Sequence, residues 1–208
     1  MDETSLLKSL RISDEGAFTW LVQQYHNSLV RLAFSYVGDS GLAEEVAQET
    51  WLAVLKGLDR FEGRSTIKTW IFTILTNRAK TRAQREKRSL PFVNLDDAFE
   101  NEPTVDPARF NPSTSPTFPG HWSVNPVSWE DIPEKTMLSR EFYNVVLKAV
   151  SDLPPGQQAV ITLCDIEGFS PKETCNILDI SETNQRVLLH RARARVRQAL
   201  ENYLKMEN

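Results

Sequence analysis

The sequence predicts an all-α fold: two small helical domains joined by a long acidic, proline-rich linker. Three observations carry this expectation. Apolar residues recur at three- and four-residue spacing on both sides of a central segment, and no alternating run is long enough for a strand. Eight of the 11 prolines fall between Pro91 and Pro133, a density that stops helices and interrupts sheet ladders. Charge is segregated: residues 1–88 carry net +2, residues 89–138 net −6 and residues 139–208 net 0, on a chain whose total is only −4. The boundaries follow as 1–88, linker 89–138 and 139–208.

Each element has its own signal. Phe18, Leu21, Val22, Tyr25, Leu29, Leu32, Ala33 and Tyr36 form one apolar stripe, and Gly38 stops it. Ser40 can cap a second helix to about Leu58, with Ala43, Val46, Ala47, Thr50 and Val54 inward. Ser65 can cap a third, from Thr66 to about Arg88, with Ile67, Trp70, Ile71, Ile74 and Leu75 inward. After the linker, Glu141–Ser151 repeats the pattern until Pro154-Pro155 breaks it. Gln157–Ile166 is a short helix halted at Gly168. Ser170-Pro171-Lys172-Glu173 combines an N-cap serine, a proline at the first helical position and a glutamate placed to close a capping box. That helix ends near Leu178. Ser181 caps the last, which runs to about Tyr203.

Composition excludes several classes. With 40% hydrophobic and 25% charged residues, the chain is neither disordered throughout nor fibrous. Its densest apolar run, Trp70–Leu75, is far short of the roughly 18 residues a membrane helix needs. No basic stretch followed by an apolar core opens the sequence, so a cytoplasmic location is expected. Cys164 and Cys175 form no Cys-x-x-Cys pair, and His26, His121 and His190 are scattered, so no metal site is expected. No acid–base pair, nucleophile triad or phosphate-cradling glycine loop is present. The expectation is a protein that is no enzyme, with no catalytic residues, no cofactor and no small-molecule substrate.

The charged stretches point to polyanions. Between Arg64 and Arg88 stand eight Lys or Arg against one acid, Glu86; between Arg186 and Arg197 stand five Arg and no acid. Helix 171–178, a short turn and the arginine-rich helix have helix-turn-helix spacing. In that motif the second helix offers its first residues to base edges, here Glu182, Thr183, Asn184, Gln185 and Arg186. Asn and Gln pair with adenine and Arg with guanine, whereas Arg191, Arg193, Arg195 and Arg197 suit phosphates. A plain helical hairpin with a basic solvent face is the alternative. Glu45, Gln48 and Glu49 share one helix face, with Glu44 beside it. That face is a solvated surface, a dock for a basic partner, or a metal-dependent nuclease cluster of Glu44, Glu45 and Glu49. Phe61 to Trp70 brings aromatics beside Arg64 and Lys68, a combination that suits unstacked bases, although Trp70 and Phe72 also suit the core.

The stretches GLAEEVAQETWLAVLKGLDRFEGRSTIKTWIFTILTNRAKTRAQREKR and LPPGQQAVITLCDIEGFSPKETCNILDISETNQRVLLHRARARVRQAL resemble regions two and four of bacterial sigma-70 factors of the extracytoplasmic-function (ECF) group. The resemblance covers both helical parts in the family's order. It implies a dissociable RNA polymerase subunit that selects promoters and assists their melting, with core RNA polymerase, promoter DNA and an anti-sigma factor as partners. Glu45, Gln48 and Glu49 then match the polymerase coiled-coil contact. Phe61, Arg64, Ser65, Lys68, Asn77, Arg78 and Lys80 match the −10 element contact. Asn184, Gln185, Arg186, Arg191 and Arg193 match the −35 contact. Gln185 replaces an apolar residue of the family pattern and Leu188 a basic one, so one of the two amides is free to face the core. The acidic linker resembles the segment that the family threads toward the RNA path; an inert spacer is the alternative. The competing function is a stand-alone helix-turn-helix regulator.

Overall fold

The computed structural model describes residues 3–86, 109–112, 114, 123 and 140–207. Most of the acidic linker therefore lies outside the described residues. Among the described residues eight α-helices are formed: α1 (Glu3–Arg11), α2 (Glu15–Val37), α3 (Ser40–Gly57), α4 (Ile67–Arg85), α5 (Arg140–Ser151), α6 (Pro155–Ile161), α7 (Pro171–Leu178) and α8 (Glu182–Glu207). A 3₁₀ turn, Leu58–Arg60, follows α3, and a wider π turn, Thr162–Ile166, continues α6. The described residues contain no strand beyond a single bridge at Phe110, and no helix among them is long and apolar enough to cross a membrane.

Local chemistry sets the helix ends, sometimes one residue from where the sequence places them. Asp14 caps α2, its carboxylate accepting from the Gly16 amide at 2.9 Å, and Asp39 rather than Ser40 caps α3 by accepting from Leu42 at 3.0 Å. Thr66 rather than Ser65 caps α4, accepting from the Thr69 amide at 3.1 Å. Gly38 ends α2 in the left-handed region, φ 63°, where a side chain would be strained, and its amide donates to Phe34 at 2.8 Å. The capping box at Ser170 forms with both arms closed. Helix α1 has no counterpart in the sequence expectation; its Leu6 and Leu10 are buried.

Packing joins the two helical units. Leu21, Leu29, Leu32, Ala33, Ala43, Ala47, Val54, Ile71, Phe72 and Leu75 form the centre of the amino-terminal unit, and Ala159, Val160, Leu163, Phe169, Ile177, Leu178 and Leu188 continue the same core. The Phe72 and Phe169 rings meet edge to face, centroids 5.0 Å apart. A smaller cluster, Val150, Leu153, Ile161 and Ala192, holds α5 and α6 to α8. Thr50 is tolerated within α3 because its hydroxyl donates back to the Val46 carbonyl at 2.7 Å. Gly57 lets Trp70 approach; a Cβ there would stand 3.1 Å from the indole ring.

The linker is extended acidic chain in the sequence expectation, yet one of its basic residues is anchored. The buried Arg109 guanidinium lies 2.6 Å from the Glu201 carboxylate of α8 and also donates to Gln198 at 3.2 Å. A buried carboxylate demands a cation, and Arg109 meets that demand.

Candidate nucleic-acid interface

Three surfaces gather the residues singled out from the sequence. The first is the outward face of α3. Glu45, Gln48 and Glu49 are exposed there together. Two of the three are already paired across to α4: Glu45 lies 2.6 Å from Arg82, and Glu49 lies 3.3 Å from Arg78 and 3.9 Å from Arg82. The face is thus less acidic than the sequence suggests. It also carries Leu52 and Leu55, exposed by 58% and 50%, which the sequence reading passed over. Their spacing from Gln48 and Glu45 was the signal: apolar residues one and two turns along an otherwise polar stripe. Glu44 turns aside to His26, 2.9 Å away. The carboxylates of the nuclease alternative therefore do not converge, and no group of three or more potential ligands is present among the described residues.

The second surface is the loop before α4 and the helix itself. Phe61 is buried, its ring 4.9 Å from the half-buried Trp70. Phe61 stands among the residues expected to contact the −10 element; its side chain lies beneath the loop rather than on its surface. Arg64 and Ser65 are exposed at the loop's tip, Arg64 paired with Glu62. Asn77 and Arg78 border an open groove of about 370 Å³ with Ile74, Thr81, Arg82, Arg85 and Glu49. Three arginines and an amide make this groove hospitable to phosphates and base edges.

Lys68 and Lys80 are not free on that surface. Lys68 donates to the Glu167 carbonyl, lies 3.6 Å from the Glu167 carboxylate, and sits 4.5 Å above the Phe169 ring. Lys80 donates to the Leu178 carbonyl at 2.8 Å. Burial pulls the Lys80 ammonium below its ordinary pKa, and the nearby Asp179 carboxylate opposes that pull.

The third surface is the helix-turn-helix. α7 closes at Asp179 in the left-handed region, φ 60°, and the Ser181 hydroxyl accepts from the Asn184 amide at 3.2 Å to start α8. The Glu173 carboxyl is held below its ordinary pKa, chiefly by the Ser170 hydroxyl and backbone amide. Gln185 corrects the sequence expectation. Its side chain is 2% exposed and its amide donates to Cys164 Sγ at 3.3 Å, so it packs inward with Leu188 and Ala192. Asn184 is half-buried, while Thr183, Arg186, Val187, His190, Arg193 and Arg197 face outward. Val187 and His190 are therefore surface residues that the arginine pattern concealed. Arg193 forms a two-armed pair with Asp165 at 2.7 and 2.8 Å, which pushes its pKa above the ordinary guanidinium value. Arg191 is half-buried.

Residues 21–89 match the family model for Sigma-70 region 2, and residues 143–196 match that for Sigma-70, region 4. The chain is 29% identical over 188 residues to the ECF RNA polymerase sigma-E factor of Escherichia coli (strain K12), covering 90% of this chain and 88% of that one. It is 26% identical over 203 residues to the RNA polymerase sigma-H factor of Pseudomonas aeruginosa, covering 98% and 96%. Among solved structures, CnrH in complex with the cytosolic domain of CnrY has a similar fold, with TM-score 0.53 and 19% identity over 99% of both chains. So does the sigma factor RpoE bound to the anti-sigma factor NepR from Bartonella quintana, with TM-score 0.52 and 22% identity over 88% of this chain and 96% of that one. Two region models of one family, matched in order over more than half the chain and joined by these relatives, place the protein in the sigma-70 family, within its extracytoplasmic-function group.

Proposed function

We infer that this chain is a dissociable sigma subunit that directs core RNA polymerase to particular promoters and assists their melting. The observation that carries this reading is the co-occurrence of a region-two and a region-four module in one chain. Polymerisation chemistry belongs to the polymerase, so the chain acts by binding and positioning, in the cytoplasm where its partners reside. Residues 1–88 serve the polymerase and the −10 element, residues 139–208 serve the −35 element, and residues 89–138 connect them.

On α3, Glu45, Gln48 and Glu49 precede Leu52 and Leu55 on the same exposed face, an apolar pair with polar neighbours, the composition of a protein-docking surface. Arg64, Ser65, Lys68, Asn77, Arg78 and Lys80 serve the melting −10 strand, with Phe61 supporting their loop. On α8, Asn184 and Arg186 read bases at the −35 element, while Arg191 and Arg193 hold phosphates. The net −6 linker imitates RNA in the polymerase's positively charged path. An anti-sigma factor is expected to compete for these faces, as the partners named in the similar solved structures suggest. A stand-alone regulator would use α7 and α8 but leave the Leu52–Leu55 patch without a role. Run-off transcription with core polymerase on a genomic promoter pool tests the reading. Discrete transcripts dependent on this chain support it; binding to duplex DNA without any such transcript removes it.

A further inference from the structure

The loop before α4 is held at both ends and open between them. At its start the chain leaves the 3₁₀ turn Leu58–Arg60, and Phe61 takes an extended conformation, φ −71° and ψ 111°. The Phe61 amide closes the turn on the Leu58 carbonyl at 3.1 Å, and its ring is fixed against Trp70. At its end the Thr66 hydroxyl caps α4. Glu62 to Thr66 are exposed, and Gly63 turns the chain in the left-handed region, φ 71°, with open space where a side chain would stand. A residue 50 positions earlier reaches the start of this loop. Arg11, in the last turn of α1, donates from its guanidinium to the Phe61 carbonyl at 3.3 Å. That carbonyl has left the helical ladder, and Arg11 supplies a donor for it. Leu6 and Leu10 seat α1 in the core cluster that also holds Phe61 and Ile67, so the guanidinium comes from a fixed helix. A peptide unit is planar, so holding the Phe61 oxygen fixes the plane of the bond from Phe61 to Glu62 and the direction in which the loop departs.

We propose that Arg11 is a positioning residue for −10 recognition: by holding the Phe61 carbonyl it presets the exposed stretch Glu62–Thr66 in the shape that receives unstacked bases of the melting strand. A loop already in its binding shape loses less conformational freedom when a strand settles on it, and that saving appears as affinity. Arg11 acts through the backbone of Phe61 and touches no base. Its side chain is exposed at the surface, so its loss leaves the core under α1 filled by Leu6 and Leu10. The inference rests on the sigma-factor reading of this loop.

The test loads core polymerase with the full-length chain. The probe is a single-stranded oligonucleotide carrying the −10 sequence of a promoter found by run-off transcription, with 2-aminopurine as reporter base. Arg11→Ala should weaken strand binding about three- to tenfold, the worth of one hydrogen bond. It should also lower the unstacking emission at saturating protein. Affinity for core and the melting temperature should stay unchanged, and Arg11→Lys, which keeps a cationic donor, should recover most of the loss. Salt separates positioning from direct contact. Losing a phosphate contact lowers the log–log salt slope by about 0.7 on a single strand, whereas losing a positioning residue leaves the slope as it was. If Arg11→Ala does not fold, Arg11→Met keeps the apolar stem and removes the donors. The proposal is overturned if the folded variant binds the strand as tightly as the unaltered chain, if its emission at saturation is unchanged, or if its salt slope falls. Run-off transcripts from the unaltered chain, with no strand defect in the variant, sink the role of Arg11 alone. No transcript from the unaltered chain sinks the sigma reading, and the role of the loop with it.

Discussion

Replacing Leu52 and Leu55 together by alanine tests whether the apolar part of the α3 face, rather than its carboxylates, provides most of the affinity for core polymerase. The two side chains are 58% and 50% exposed in the free chain. Fully burying a leucine contributes about 1.5–3 kcal/mol, so the half still open on each is worth roughly 0.8–1.5 kcal/mol when covered. Both together contribute about 2–3 kcal/mol, which corresponds to a loss of roughly 30- to 150-fold in Kd. Glu49 is already paired with Arg78 in an exposed site, and such pairs are worth about 0–1 kcal/mol, so Glu49→Gln should weaken binding less than about fivefold. Exposed substitutions change stability by no more than about 0.5 kcal/mol, and circular dichroism should be unchanged for both variants. Binding is measured by titrating labelled chain with core polymerase. If the leucine double variant binds as well as the unaltered chain while Glu49→Gln abolishes binding, charge governs the contact and the apolar argument is wrong.

Gln185→Ala should lower unfolding stability by about 1–3 kcal/mol, the usual cost of emptying a buried, hydrogen-bonded position, while leaving −35 base preference alone. Arg186→Ala should do the reverse, losing about 1–3 kcal/mol of discrimination at particular bases; a promoter library read with each variant decides, and a base shift in Gln185→Ala refutes the inward assignment. Glu173 is depressed below its ordinary carboxyl pKa of 4.5, so its bonds to Ser170 stabilise the fold above that pH and are lost as pH falls through the lower folded value. Ser170→Ala should therefore cost about 0.5–2 kcal/mol at neutral pH and less as the pH falls below 4.5; a melting-temperature difference that stays constant into acid contradicts this. Neutralising Asp96, Asp97, Glu100, Glu102 and Asp106 should impair initiation more than promoter binding, and unaltered abortive and full-length transcripts would make the linker a spacer.

Much of the helical architecture is local and was legible from residue spacing. The α2 stripe, the Gly38 stop, the Ser170 capping box and the Ser181 start each depend on residues within a turn or two of one another. The proline density of residues 89–138 separates the helical halves for the same reason. Helix α1 carries the same kind of local signal, Leu6 and Leu10 one turn apart and both buried, but the sequence expectation places no helix there. The caps at Asp39 and Thr66 differ by one residue from the sequence expectation because neighbouring oxygens compete and only the backbone direction chooses between them.

Contacts between distant residues were decided by the tertiary structure. Periodicity places Glu45 and Glu49 on one face but is silent on whether Arg82 and Arg78, more than seven helical turns further along the chain, arrive beside them. The sequence sets Phe61 close to Arg64 and Lys68 but is silent on its burial against Trp70. Gln185 has an amide suited to adenine, yet α8 is rotated by the burial of Leu188 and Ala192, which turns that amide toward Cys164. Lys80 and Leu178 are 98 residues apart in the chain and 2.8 Å apart in space. The sequence determines which residues can lie on a helix face; whether a residue on that face meets solvent, DNA or another part of its own chain depends on how the helices pack.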